Sequence, residues 1–572
     1  VKPTTARVAA ALPLALLALP PAFLGGACGT DAVTLPTGYS TGRYRKITIR
    51  PNEPVEGRTA RVQALNGMDG APKPVVGGDA DLRTRYWGRL TGSTEADGAH
   101  VRMVRVGTDT LCDLSLEGIF PSAGANPELP ASYNFQAIDQ HVKSITELHT
   151  ATILWQAAFN PGRGTCTADA QGRQSGSPIA SQSDSDLWVT TATHTLQHLR
   201  GDSVSDWDSA GKKNYNVRYV EFLDDPVGQM GYPANATDPT WNLFLQTYKN
   251  FAERVKTEWP DTQDADGNPI VKVHVGGSSF GFTSPGQLDY TSDANKHPLL
   301  RFIDFAAEQD VPLDFVSFKT QTQHPYQAYE IAQAIRDYLD GAQFAGRFAD
   351  TELIATAIEP TYPASFGSDS DPAFRSAFLG TFQTATRNLY EDVPVQWALA
   401  GRGPRVFSDL KPHINENLDA IRGLIVDSDY FQFNTATAPV QARPSFVGLF
   451  PFRQIAGHQR VKVTEGGDLE GMSILASHDV NTDKVLHVII ANANVHTGMA
   501  EITYDLQLDR FVPPTIPQVE YKLAVLDRNS WGVGAFHFSE TGVLNSTAQT
   551  GTVRFVHQMA VPSIHYIQFV KP

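Results

Sequence analysis

The chain has 572 residues, is 41% hydrophobic, 10% aromatic and 19% charged, and carries a formal net charge of −15. That length exceeds what one compact core organises and predicts two domains, one of them large. The acidic balance argues against nucleic acid and anionic membrane surfaces, which select basic patches, and three cysteines are too few for a disulfide framework.

Residues 1–28 read as an export signal. Lys2 and Arg7 supply positive charge, and Gly25-Gly26-Ala27 precedes Cys28. Val8 to Leu24 is apolar but broken by Pro13, Pro20 and Pro21, too short and interrupted for a membrane-spanning anchor. Leu24 to Cys28 resembles a bacterial lipobox, with Leu24 one place further from the cysteine than that pattern has it. Cys28 is therefore the expected lipidation site, and membrane attachment through it, or full secretion, the expected fate. Residues 29–60 follow as a linker in which Tyr44–Ile49 can add a strand to a later domain.

From residue 61 to 445, apolar, β-branched runs alternate with helical patterns. The expected strands are Arg61–Leu65, Val101–Val106, Thr152–Phe159, Val217–Leu223, Val271–Gly276, Asp314–Phe318, Leu353–Ile358 and Pro394–Leu399. Their nearly continuous apolar character suits parallel strands buried on both faces. Helical spacing appears at Ile138, Val142 and Ile145, and at Phe244, Tyr248, Phe251 and Val255 after an Asp238-Pro239 start. It recurs at Ile331, Ile335, Tyr338 and Leu339, stopped by Gly341, and at Phe374, Phe378, Phe382 and Leu389. Eight such units predict an α/β fold, a (β/α)8 TIM barrel with its working face at the strand C-termini. Residues 446–572 are strand-rich and predict a C-terminal antiparallel β-sandwich. With no zinc-like Cys/His spacing, phosphate-cradling glycine loop or internal repeat, neither metal nor cofactor is expected.

Several phrases, in order, resemble family 39 glycoside hydrolases, the group of β-xylosidases and α-L-iduronidases. They are Leu116 to Pro121 with Asn126-Pro127, Tyr133-Asn134-Phe135 and Asp139; Tyr219 to Pro226; Glu258-Trp259-Pro260; Val275-Gly276-Gly277; Pro312 to Ser317; and Leu339-Asp340 leading to Glu352. The resemblance implies a glycan or glycoside as partner and glycosidic bond cleavage with retention. That chemistry needs an acid and a nucleophile about 5–5.5 Å apart. It places the acid at the end of the fourth strand, after an asparagine that binds the sugar, and the nucleophile at the end of the seventh.

Here Asp224 stands at the asparagine position and Asp225 at the acid position. An aspartate sits one methylene back, and about 1 Å of misplacement costs on the order of a hundredfold in rate. The two acids either share a proton, raising one pKa, or are solvated loop carboxylates, with Asp224 capping the next turn. At the seventh strand Ala357 occupies the nucleophile position and Glu359 follows two places late. A bulge or longer strand would bring Glu359 to that site; otherwise it is a rim residue. Lys319 and Gly107 replace two family histidines. Lys319 either binds an acidic sugar or neutralises Asp225, or is an exposed loop lysine. Arg105 is a sugar or carboxylate ligand or a rim ion-pair partner, and Glu221 joins it among the candidate binding residues. Trp155 and Trp397 either stack on a sugar or pack inside. Cys112 and Cys166 follow neighbouring strands, and export permits a disulfide between them.

Two functions compete. One is an exported scaffold that binds or acts on carbohydrate without the standard retaining double displacement. The other is an active glycosidase with Asp225 as acid and Glu359 or Asp224 as second carboxylate. A structural surface protein working through its β-domain is a third possibility, since fold alone does not choose.

Overall fold

The computed structural model describes residues 44–56, 60–62, 66–69, 102–107, 114–146, 151–162, 178–233, 237–265, 267, 269–322, 325–360, 395–402, 426–427, 431–433, 441–442, 448, 450–466, 472–479, 481–482, 484–493, 501–527 and 537–572. Cys28, Cys112, Cys166 and the expected Phe374–Leu389 helix lie outside them.

After β1 (Tyr44–Pro54) come β2 (Asn66–Asp69), β3 (Met103–Val106), α1 (Gln136–Thr146), β4 (Thr152–Ala157), α2 (Gln182–Arg200) and β5 (Val217–Phe222). The alternation continues with α3 (Pro239–Glu258), β6 (His274–Phe282), α4 (Pro298–Glu308), β7 (Phe315–Thr322), α5 (Pro325–Leu339), β8 (Glu352–Pro360) and β9 (Val395–Arg402). Strands β2 to β9 are all parallel and close into an eight-stranded barrel. Seven of the expected strands fall where their apolar runs lie. The first does not. Arg61 bridges Gln459, and the Val62 N–H donates to the His458 carbonyl at 2.8 Å, so this stretch is tied to a later segment and the barrel begins at Asn66.

Helix starts follow side-chain chemistry. The Asp238 carboxylate accepts the Thr240 N–H at 2.8 Å, with Pro239 in the first turn of α3. Ser181 caps α2, which ends at left-handed Gly201. Gly341 is not such a stop: α5 ends at Leu339, Gly341 has φ −55°, and left-handed φ appears only at Ala345. Helices α2 and α4 are absent from the sequence expectations. The buried face of α2 includes Thr191, Thr193, Thr195, His194, Gln197 and His198, so its polarity hides its periodicity.

Strand alternation sorts side chains into two environments. Ile153, Trp155, Val220, Phe222, Val316 and Phe318 face the helical layer and share its core. Met103, Leu154, Tyr219, Phe315 and Ile354 form a separate apolar layer within the barrel. Each fully buried aliphatic or aromatic side chain contributes about 1.5–3 kcal/mol. Two residues further along the same strands, Arg105, Gln156, Glu221, Ser317 and Thr356 make the next layer, and it is polar.

Apart from five strands of two or three residues in two small sheets, the other strands are β10 (Gln459–Gly466), β11 (Met472–His478), β12 (Val485–Asn492), β13 (Glu501–Leu508), β14 (Gln518–Leu526), β15 (Glu540–Asn545), β16 (Val553–Ala560) and β17 (Ser563–Val570). With β1 they form one nine-stranded sheet in the order β15-β14-β17-β12-β11-β10-β1-β13-β16. β1 lies between β10, antiparallel, and β13, parallel. Ile47 and Ile49 of β1 pack in one core with Ile474, Val488, Leu506, Leu523 and Ile567.

Candidate functional site

The polar layer and the strand ends above it form a charged cluster. On β3, the Arg105 guanidinium donates from Nε to Glu221 Oε2 at 2.7 Å and from Nη2 to Asp224 Oδ1 at 3.1 Å. Ser317 Oγ donates to Glu221 and accepts the Ser279 N–H at 2.8 Å. Ser279 Oγ contacts Thr356 Oγ1, which donates to the Phe318 carbonyl at 3.0 Å. Above them, Lys319 Nζ lies 3.7 Å from Asp224 Oδ1 and 3.3 Å from Asp225 Oδ2.

The backbone is shaped for this. Leu223 and Asp225 take left-handed φ of 58° and 39°, so the chain after β5 turns sharply. An aspartate tolerates that region, and a leucine there stores on the order of 1–3 kcal/mol of strain. Asp225 Oδ1 accepts the Gly228 N–H at 3.0 Å. A Cβ on Gly228 would come within 2.4 Å of Asp225 Oδ2, and one on Gly281 within 3.1 Å. Glycine at both positions lets backbone close around the carboxylate. Gly107 is needed for a related reason: at φ +119° its Cβ would lie 2.3 Å from the Gln156 carbonyl oxygen. No histidine fits there.

The three carboxyls differ. Burial pushes Glu221 up, more than Arg105 and Ser317 pull it down. Burial also acts on Asp224, but Lys319 and Arg105 outweigh it and hold that carboxyl below the usual range. Side-chain exposure is 0% for Glu221, 5% for Asp224 and 16% for Asp225, so of these three only Asp225 reaches the mouth appreciably.

Several expectations are corrected by this geometry. Asp224 is buried and not a solvated loop carboxylate, and the Lys319 ammonium lies within reach of both carboxylates. The turn is capped by Asp225, not Asp224. Arg105 is an ion-pair partner, but buried inside the barrel and not at its rim. With Glu221 and Asp224 it is too deep to line an open sugar site in this conformation. Lys319 belongs to β7 and not to a loop. Trp155 is fully buried and faces the helical layer, so it offers no ring to the mouth. Gln156, Ser317 and Thr356 escape sequence reasoning, although counting two residues back from Lys319 on one strand finds Ser317.

At β8 the backbone carries a bulge. Ala355 pairs with Phe318 and Ala357 with Lys319, leaving Thr356 as an extra residue. Beyond it Ile358 packs in the helical-layer core, and Glu359 stands in register with Gln321. The Glu359 side chain lies outside the described residues. So does that of Trp397 on β9, whose backbone pairs with Ile354 on β8. Among the described residues no group of three or more His, Cys, Asp or Glu is placed to hold a metal, and no helix is long and apolar enough to cross a membrane.

This barrel with an appended sheet is a glycoside hydrolase fold, as solved structures show. A glucosidase from Croceicoccus marinus superposes with a TM-score of 0.59 at 19% identity, covering 92% of this chain and 99% of that one. A bacterial orthologue of human α-L-iduronidase gives 0.55 at 12% identity, covering 93% and 84%. A family 51 arabinofuranosidase from Xanthomonas axonopodis pv. citri gives 0.51 at 10%, covering 92% and 100%. At these identities the likeness establishes fold alone. No protein-family model and no curated protein matches the sequence.

Proposed function

We propose that the chain is an exported, carbohydrate-directed protein built on a family 39-like (β/α)8 barrel with a β-sandwich, and that it lacks the standard retaining double displacement. The observation that carries this reading is the ionic cluster at the strand ends. Arg105 and Lys319 engage Glu221, Asp224 and Asp225, while Ala357 supplies no carboxylate where the nucleophile belongs. Both Asp225 oxygens already have partners, a backbone N–H and an ammonium. Glycan binding at the mouth is the activity such a site retains, because removing members of a catalytic unit leaves little from any survivor. Anchorage through Cys28 and a Cys112–Cys166 disulfide belong to the same proposal, and non-reducing peptide mapping of the exported protein tests the bond.

The direct test is exposure to mechanism-based glycosylating inactivators, followed by intact-mass and peptide analysis. The expected result is no adduct on any barrel carboxylate. A covalent sugar on Asp225 or Glu359 would overturn the reading.

A second reading is favoured by the bulge at Thr356. It shifts the phase of β8 by one residue, so that by strand alternation Glu359 shares the row of Ala357. In that reading Asp225 is the acid and Glu359 the second carboxylate. Asp225→Asn and Glu359→Gln would then each abolish hydrolysis with unchanged thermal unfolding.

A further inference from the structure

Away from the mouth, on the outer wall between α1 and α2, one indole is held with unusual care. The Trp207 ring stacks on His194 with centroids 4.0 Å apart and planes 8° from parallel. Tyr133 meets it edge-on at 5.0 Å and 73°, and Phe135 at 6.4 Å and 85°. Trp207 Nε1 donates to the Glu128 carbonyl at 3.0 Å. His194 is itself fixed by Tyr133 Oη at 3.1 Å and the Pro127 carbonyl at 2.9 Å. Burial holds the His194 pKa below its ordinary value, so the surface under the indole is an uncharged ring at neutral pH.

The indole is only half-buried. With one face on His194 and its N–H tied down, the opposite face is what remains for contact from outside. Five large apolar side chains are exposed among the described residues; one of them follows the residue whose carbonyl holds this ring, and another precedes the ring by three residues. Leu129, 54% exposed, follows Glu128, and Val204, 74% exposed, lies three residues ahead of Trp207. The surroundings are polar: the Glu128 side chain is 67% exposed, and exposed Asp206 is paired with Lys212 at 2.6 Å. A rigid indole in polar surroundings, with the exposed carboxylate of Glu128 nearby, suits the C–H face of an uncharged sugar ring. It does not suit an anionic chain, nor the broad apolar core of a protein interface.

We infer that Trp207, on a surface to which the exposed Leu129 and Val204 also belong by their chain positions, forms a second binding platform for neutral polysaccharide on the outer wall of the barrel. The platform rests on the carbohydrate reading only for the choice of ligand; its residues are separate from the Arg105–Lys319 cluster. A polymer engaging both places gains avidity without new contacts at either.

The test is affinity electrophoresis of the full chain in native gels containing arabinoxylan, hydroxyethyl cellulose or heparin. Retardation by at least one of the two neutral polymers and none by heparin is expected. Trp207→Ala should weaken that retardation about tenfold, the scale of losing one aromatic anchor. Val204→Asp and Leu129→Asp, at exposed positions that spare the fold, should weaken it as well. Lys319→Met separates the two proposals. Retardation abolished by Lys319→Met but untouched by all three outer-wall variants overturns the platform and leaves the mouth reading standing. Retardation lost in the outer-wall variants but kept in Lys319→Met supports the platform, whatever the mouth does. No retardation by either neutral polymer, or by heparin alone, overturns it.

Discussion

Arg105 has the most to lose from substitution. It is 2% exposed and is the buried cation shared by Glu221 and Asp224. Removing one member of a buried ion pair leaves uncompensated charge and costs about 3–5 kcal/mol. Arg105→Met should therefore fall in that range by urea unfolding. Lys319→Met, at a side chain 21% exposed to water, should cost only about 1–2 kcal/mol. Equal losses would show that the cluster is held from the mouth and not from within. Gly107→Ala is a second test at this scale. The added methyl meets backbone at a positive φ, and a loss above about 1 kcal/mol is expected in the same assay. That glycine also shows the limit of reading residues singly. The absence of a histidine was visible in the sequence, whereas its cause, the neighbouring Gln156 carbonyl, is a contact between two strands.

Among elements, the strands were the most legible, because parallel strands buried on both faces write continuous apolar runs. Legibility failed where burial and polarity part. Helix α2 buries threonines and histidines, and β5 buries Glu221 at a position that sequence alone assigns to a sugar ligand. The bulge in β8 was conceivable from the late position of Glu359, but an extra residue is defined only against its partner strand. The opposite end of the barrel carries a pH signature. Glu352, at the start of β8, accepts a hydrogen bond from Tyr219 Oη at 2.9 Å, with the His274 ring stacked on Tyr219. Burial pushes Glu352 up to about 7, above its ordinary 4.5. A raised folded pKa means that its contribution is fully present below pH 4.5 and is lost as pH rises through 7. The size is roughly 3 kcal/mol. His274, pushed down to about 4 chiefly by burial, acts in the opposite sense between about 4 and 6.5. Glu352→Gln removes the first effect, and because His274 Nδ1 lies 3.8 Å from Glu352 Oε1 the comparison is made above pH 6.5 as well as below it. The variant's stability relative to the native chain should improve by on the order of 3 kcal/mol between pH 4.5 and pH 8. A difference independent of pH would show that the Glu352 pKa is the same in the folded and unfolded states.

Across the whole molecule, the nine-stranded sheet takes strands from both ends of the described chain. β1 contributes Ile47 and Ile49 to the core and pairs on both sides, with β10 and β13. Deleting residues 1–55 should leave both neighbours with unpaired edges, which template aggregation. Earlier cleavage of the C-terminal unit by protease, with the barrel outlasting it, is the expected result. Simultaneous digestion of both would mean that the barrel also depends on β1.

The position of β1 also sets a timetable. Tyr44 and its hydrogen-bond partner Asp505 are 461 residues apart, with the whole barrel between them. A ribosome delivers β1 before the barrel and its neighbours after it. While the barrel is being made β1 is a strand without a sheet. A chain built this way keeps its nine-stranded sheet open until the barrel has been made, so the sheet is exposed to aggregation for longer than the barrel is.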